Sequence, residues 1–442
     1  MRLLQSKDQL FSIFSLVISK RFRIFVPRNF RVMSIELSFR GRIKSRKRLV
    51  EKITEMADRH LCMVNCDTSS ENDIVMSLCP TGDILFHVNE GGLLQKAKVE
   101  GHLQSTPAGP GFHKAAVDFI DSLEMENLVY EDDTDYADDR DFKKLCKNHF
   151  YRWLESIMEH LRQTGQDGGP ICLCWSTEQY QPDVKRGKIV TPIGLWDISQ
   201  ICQWEQDKGI EALADRFFIW PHEQQDAVFY RNCALKTLWE DCYYVPSGRS
   251  ETDAEINKFI IENLEKAYSL APLLPLPYDS YCEICHLDGR KPIIPETAVR
   301  MDETYKPGHR KGLVKENING LTIIIPGSYK RSLEFDNDNW SIVWNDSSSN
   351  SPVWRLSIFG LEKEMDTPKL KGNHYLYSEK FDIEIGKAVL AIEKCQENDE
   401  EFLMVICQIT SGLSLYLITV TYNNQPEFDQ IRDLLHHLTC QK

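Results

Sequence analysis

No apolar run in this 442-residue chain reaches the about 20 residues that a helix needs to cross a bilayer. LFSIFSLVI, at 10–18, stops at nine, and SKRFRIF follows where a secretion signal would place small residues for cleavage. The chain also lacks the GxGxxG fingerprint of dinucleotide-binding domains, the GxxxxGK[ST] phosphate loop, the GxSxG nucleophile elbow and the kinase motif set. CxxC occurs once, so the second cysteine pair of a four-ligand zinc site is missing. Acidic residues outnumber basic ones beyond the first fifty residues. Those hold 13 Lys and Arg against Asp8 and Glu36, a net +11, so the rest of a chain of net charge −14 carries −25. A body so acidic repels phosphate backbones and speaks against nucleic acid as a partner.

What is present describes an ordinary globular protein. Hydrophobic residues make up 42% and charged residues 27%, and the length suggests two to four domains at roughly 100–200 residues each. Several of the 14 cysteines sit in apolar runs such as ICLCW and FLMVICQI, where Cys acts as a small hydrophobe. That usage, without a secretion signal, fits a reducing cytoplasm.

The pattern along the chain predicts an α+β, multidomain protein. Residues 1–32 read as a basic extension without fixed structure, with Met33 an alternative to Met1 as the natural start. The basic residues of 1–50 leave weak contact with a membrane surface as an option. Residues 33–130 read as an α+β domain: strand IELSFRGRI, a helix over 44–60, two strands around a turn at Thr81-Gly82, and a helix over 112–124. Residues 131–141, EDDTDYADDRD, read as a solvated acidic linker. A calcium loop fails there for want of the central Gly and terminal Glu.

Residues 142–290 read as mixed and mostly helical. One helix carries the stripe Leu145, Cys146, Phe150, Trp153, Ile157, Leu161. A second spans 222–242 with Pro221 in its first turn, a third is capped by Ser250, and a fourth holds YCEICH and stops at Gly289. Residues 291–317 read as a linker. Residues 318–442 read as an antiparallel sheet with a closing helix, whose face carries Phe428, Ile431, Leu435 and Leu438. FLMVICQIT and LSLYLITVTY are apolar almost continuously, which predicts strands covered on both faces.

Three stretches invite a chemical reading, and each has a plainer one. Cys282-x-x-Cys285-His286 matches haem c attachment or part of a metal site. On a helix, however, the two cysteines share a face at i, i+3, and His286 suits the helix C-terminus. His222 and Glu223 open like HExxH, but Asp226 stands where the second His is needed. That leaves a helix start, or a His222–Asp226 pair for metal or acid–base work. STPAGPGFHK places Gly109 and Gly111 before His113 and Lys114, either an anion nest at a helix N-terminus or a loop entering a helix. The plainer readings are preferred, so no cofactor and no metal are expected.

LTIIIPGSYKRS, the short strands after it, IGKAVLAIEKC, two long strands and a terminal helix together resemble the Mog1/PsbP-like sandwich over about 318–440. That resemblance implies a partner-binding fold without shared catalytic residues. GPGFH, RFFIW and FYRNCALKTLWEDCYY resemble uncharacterised bacterial proteins. The expectation reached is a bacterial, acidic, cytoplasmic protein-interaction protein without enzymatic activity, with a protein as partner. An immunity or accessory component of a bacterial conflict system is the setting considered. The alternative is a hydrolase or metal-dependent enzyme with its site near His113 or His222, Glu223 and Asp226.

Overall fold

The computed structural model describes residues 34–57, 65–92, 95–106, 108–164, 171–173, 187–301, 308–336, 339–347, 351–370, 374–397 and 400–440. The expected N-terminal extension lies outside them. The described residues form two compact units, one of 34–242 and 246–308, the other of 243–245 and 309–440. The α+β multidomain class holds. Among the described residues no helix is long and apolar enough to cross a membrane.

The first unit opens with β1 (Glu36–Ile43), α1 (Arg46–Ala57), β2 (Asn65–Asp67), β3 (Asp73–Cys79), β4 (Gly82–Asn89), β5 (Ala97–Gln104), α2 (Pro110–Ser122) and β6 (Glu126–Asp132). The strands make one antiparallel sheet in the order β2-β3-β4-β5-β1-β6. Period-two alternation decides its faces. Leu37, Phe39, Ile74, Met76, Ile84, Phe86, Val99 and Leu103 are buried, together with Leu49 and Ile53 of α1 and Ala116 and Ile120 of α2. The other face carries the exposed side chains of Ser38, Arg40, Glu100, His102 and Glu131.

The acidic stretch 131–141 is not a linker. It completes β6, forms α3 (Tyr136–Asp139) and leads into α4 (Phe142–Leu145). Its acids are used one by one. The Asp132 side chain is only 4% exposed, Asp139 pairs with Lys144 at 2.6 Å, and Asp141 caps α4 by accepting from the Lys144 N–H at 3.0 Å. The division expected at 131–141 is therefore absent, and residues on both sides share one unit. The long helix after it is broken: α4 passes through a π-turn (Cys146–Phe150) into α5 (Tyr151–Thr164). The extra residue of the π-turn lets Leu145, Cys146, Phe150, Trp153 and Ile157 all be buried.

β7 (Ile171–Cys172) runs parallel to β8 (Lys188–Thr191), which turns into β9 (Gly194–Asp197). Then come α6 (Ile198–Phe217), kinked at Gly209 with φ 84°, α7 (Ala227–Glu240), α8 (Glu251–Leu270) and α9 (Tyr278–Leu287). The sequence placed the start of α7 at 222. It starts at 227 because the Asp226 side chain accepts from the Val228 and Phe229 N–H groups, both at 3.0 Å. α7 is buried nearly all round, as its weak amphipathicity implies. Ser250 caps α8, accepting from the Asp253 N–H at 3.2 Å. Gly289, with φ 70°, ends α9, and Arg290 N–H reaches back to the Cys285 carbonyl at 2.8 Å.

In the second unit, β10 (Leu313–Ile318), β11 (Leu321–Pro326) and the terminal β19 (Thr439–Cys440) form one sheet. The expected linker 291–317 thus ends in a strand. A seven-stranded antiparallel sheet has the order β12-β13-β14-β18-β17-β16-β15, from β12 (Lys330–Asp336), β13 (Asn339–Asn345), β14 (Val353–Gly360), β15 (Tyr377–Ile383), β16 (Gly386–Glu397), β17 (Glu400–Ser411) and β18 (Ser414–Tyr422). The small sheet and α10 (Gln425–His436) share one core with it. Ile323, Ile325, Trp344, Trp354, Leu390, Cys407, Ile418, Phe428, Ile431, Leu435 and Leu438 meet there. Burial on both faces of β17 and β18 is not found. Val405, Cys407 and Ile409 are buried, while Met404, Ile406 and Gln408 between them are half-buried. The apolar runs reflect β propensity as well as burial.

Candidate functional site

The sequence candidates fall into separate clusters. His113 lies in the first turn of α2 with no exposed surface. Its Nδ1 is 2.8 Å from Ser105 Oγ, and its Nε2 is 3.2 Å from Thr134 Oγ1 and 3.4 Å from Asp132 Oδ2. The Thr134 hydroxyl donates to Asp132 Oδ1 at 2.8 Å. Its oxygen is then free to accept from the ring, so a proton belongs on Nε2. Asp132 also accepts from the backbone N–H groups of Thr134 and Ala137, both at 2.9 Å. Burial raises its carboxyl, but the hydrogen bond and charge of His113 and the two N–H groups outweigh that and hold it well below the usual range.

Ser105, His113 and Asp132 are the residue types of a nucleophilic triad, and they are in contact. A triad also needs its Ser oxygen open to a substrate carbonyl. Ser105 and His113 are both 0% exposed, and Thr134 is 1% exposed. The node ties the end of β5, the start of α2 and the end of β6 together, a structural use of a satisfied polar network. The GPG loop before it is closed as well. Gly111 N–H donates to the Trp220 carbonyl at 3.0 Å, and Trp220 N–H donates to the Ala108 carbonyl at 2.7 Å. An anion nest needs such N–H groups free, so the nest reading of Gly109 and Gly111 fails. Lys114 pairs with Asp118 at 2.6 Å.

His222 is held by two carboxylates. Nε2 is 3.0 Å from Asp215 Oδ1 and Nδ1 is 2.6 Å from Asp226 Oδ2. Asp215 and Asp226 push the imidazole up to about 10 against the cost of burial. An imidazolium bonded to Asp226 and paired in charge with Asp215 has no lone pair for a metal or a substrate proton. The clamp joins the C-terminal part of α6 to the N-cap of α7. Glu223 is exposed and stands outside it. The partners of His113 and those of His222 have no member in common, so the two candidates do not form one site.

In the CEICH helix Cys285 is buried, Cys282 is half-buried and His286 is exposed. Burial raises the Cys285 thiol, which sits beside the Tyr281 hydroxyl. Tyr281 itself donates to Glu265 at 2.9 Å and accepts from the Ile293 N–H at 2.9 Å. Among the described residues no three His, Cys, Asp or Glu side chains gather as a metal ion would require.

Sequence reasoning named His113 but not Ser105, Asp132 or Thr134, and His222 but not Asp215. These partners come from separate elements, so no local spacing links them. It also missed the flank of the seven-stranded sheet. There Leu333 is 36%, Phe335 59% and Trp340 38% exposed. Phe335 faces Trp340 across the β12–β13 hairpin. The only available signal was the alternation of KRSLEFD, weak in a seven-residue strand.

No family model and no curated protein matches the chain. A solved structure from Bacteroides thetaiotaomicron VPI-5482 aligns over 28% of this chain and 45% of its own length, at 11% identity and a TM-score of 0.21. A likeness of that size carries no argument.

Proposed function

We propose that this protein acts in the cytoplasm by binding a protein partner, not by catalysis, and that the exposed flank formed by Leu333, Phe335 and Trp340 is its contact surface. The observation that carries this reading is a contrast in how side chains are used. The groups with chemical capacity, Ser105, His113, Asp132 and His222, are committed to internal bonds. Two large aromatics and a leucine instead stand exposed together on one hairpin. Exposed aromatics cost solvation and are enriched at interface hot spots. The resemblance of 318–440 to the Mog1/PsbP-like sandwich points the same way. An immunity or accessory role in a bacterial conflict system is compatible with this reading and rests on the acidic character alone.

The contact between Ser105 and His113 favours a second reading, a serine hydrolase that opens to work. A fluorophosphonate probe separates the two. The binding reading predicts no labelling of Ser105 in the folded full chain, and stoichiometric labelling abolished by Ser105→Ala would overturn it. Hydroxyl-radical footprinting supplies the positive test. Phe335 and Trp340 should oxidise readily in the purified protein at high dilution and be protected in concentrated extracts of producing cells. Equal oxidation in both settings would count against the surface.

A further inference from the structure

β12 ends the order of the seven-stranded sheet and pairs with β13 along all seven of its residues without a bulge. Among the described residues no other strand pairs with it. Residues 331–335 are exposed on both faces. Edges of this kind are usually blunted by Pro, a bulge or inward-pointing charge, because a bare edge recruits another strand. KRSLEFD has no Pro, and Arg331, its one charge on the face of Ile342 and Trp344, reaches Glu316 at 3.8 Å while staying 43% exposed. Its charges are ordered, with Lys330 and Arg331 at one end and Glu334 towards the other.

We propose that β12 is a self-complementary edge. Two copies of the chain join β12 to β12, antiparallel, about a two-fold axis normal to the sheet, continuing one seven-stranded sheet into the next. This rests on the partner-binding reading and names the occupant of that flank as a second copy. Such an axis keeps each face of the sheet on its own side, so odd residues oppose odd residues and even oppose even. With Ser332 on the axis, Lys330 of each copy lies opposite Glu334 of the other, and the pair occurs twice. Opposite charges directly across an antiparallel pair stabilise it, and like charges there destabilise it. On the other face, which Ile342 and Trp344 mark by register, Arg331 lies opposite Leu333. Its aliphatic stem covers the leucine. Phe335 and Trp340 then flank the junction at both ends. A parallel partner would set Lys330 beside Lys330, so the charge order selects the antiparallel arrangement. Glu334 already meets Arg355 at 2.6 Å, but both side chains are 48% exposed and leave room for a second cation.

The test is sedimentation velocity of the full chain over a concentration series at low salt. Wild type should dimerise reversibly, with the dimer fraction falling as salt screens the charge pairs. Glu334→Lys should sediment as a monomer and melt only slightly lower, because the pair it breaks with Arg355 is exposed. The double variant Lys330→Glu/Glu334→Lys, which restores opposite charges across the axis, should recover the dimer. Ser332→Cys should form an interchain disulfide on mild oxidation in much higher yield than wild type, since that position meets itself on the axis. A wild type that is monomeric at every concentration, or a double variant that stays monomeric, overturns the self-pairing. If that happens while Trp340 is still protected in cell extracts, the flank serves a different protein. The partner-binding reading then stands and this inference falls.

Discussion

Replacing Asp132 by Ala probes what the buried polar node is for. In the folded chain this carboxylate accepts from the Thr134 N–H and hydroxyl, from the Ala137 N–H and from the His113 ring, at 2.8–3.4 Å. The side chain is 4% exposed and His113 is 0% exposed, so water cannot replace what is lost. Hydrogen bonds to a charged group contribute about 1.5–3 kcal/mol each, and each buried donor left without an acceptor costs about 1–3 kcal/mol. The losses overlap, so less than their sum is expected: about 3–5 kcal/mol, a large part of the about 5–15 kcal/mol that holds a domain together. Urea denaturation of the full chain, followed by far-ultraviolet circular dichroism, reads it directly. The transition of the first unit should move to lower urea with little change in slope. Asp132→Asn keeps one acceptor oxygen and should lose less. A cost below about 1 kcal/mol for Asp132→Ala would refute the structural account of the node. It would reopen the reading in which Asp132 is retained for chemistry.

The His222 clamp carries a pH signature. Its folded pKa is raised to about 10 by Asp215 and Asp226, so its stabilisation is complete below the unfolded value near 6.5 and is lost as pH rises through about 10. With the three side chains 31–42% exposed, solvent screening reduces the effect to about 1–2 kcal/mol. Thermal melts of His222→Gln against wild type should show a gap that is widest at pH 6 and narrows by pH 10.5. A gap that widens with pH would be the wrong sign. Gly111→Ala should lower the melting temperature by several degrees. Its Cβ would meet Trp220 Cδ1 at 2.0 Å and the His222 carbonyl at 2.3 Å, an overpacking that costs about 1–3 kcal/mol. Leu435→Ala empties a fully buried position of α10 and should cost about 2–5 kcal/mol in the second unit. A smaller loss on chemical denaturation would show that the helix is an appendage.

Elements with a strong local pattern were legible in the sequence. Ser250 as an N-cap, Gly289 as a helix stop and the face of α10 with Phe428, Ile431 and Leu435 are all decided within one or two helical turns. The start of α7 was misplaced because Pro221 and Asp226 are both start signals, and Asp226, by bonding two backbone N–H groups, takes the cap. The stretch 131–141 misled because its composition is that of a solvated loop. Asp132 is buried only because His113, nineteen positions earlier, comes back to meet it. For the candidate site the limit was the same. His113 and His222 were visible as residues, but what they do depends on Ser105, Thr134 and Asp215, which the fold supplies from other elements. The flank at Phe335 and Trp340 escaped notice because exposure is a property of sheet order. Nothing in KRSLEFD says that β12 stands at the end of a sheet.

If the β12–β13 flank contacts protein while the buried polar groups serve the fold, a partner must lie within reach of Trp340 in the cell. Photo-cross-linking in producing cells tests this most directly, with p-benzoylphenylalanine in place of Trp340 in the full chain and, as a control, in place of exposed Glu131 on the other unit. The account predicts discrete protein adducts from position 340, lost on adding Phe335→Ser, and none from position 131. The absence of any discrete adduct at 340, in cells where the protein is folded and abundant, would contradict it.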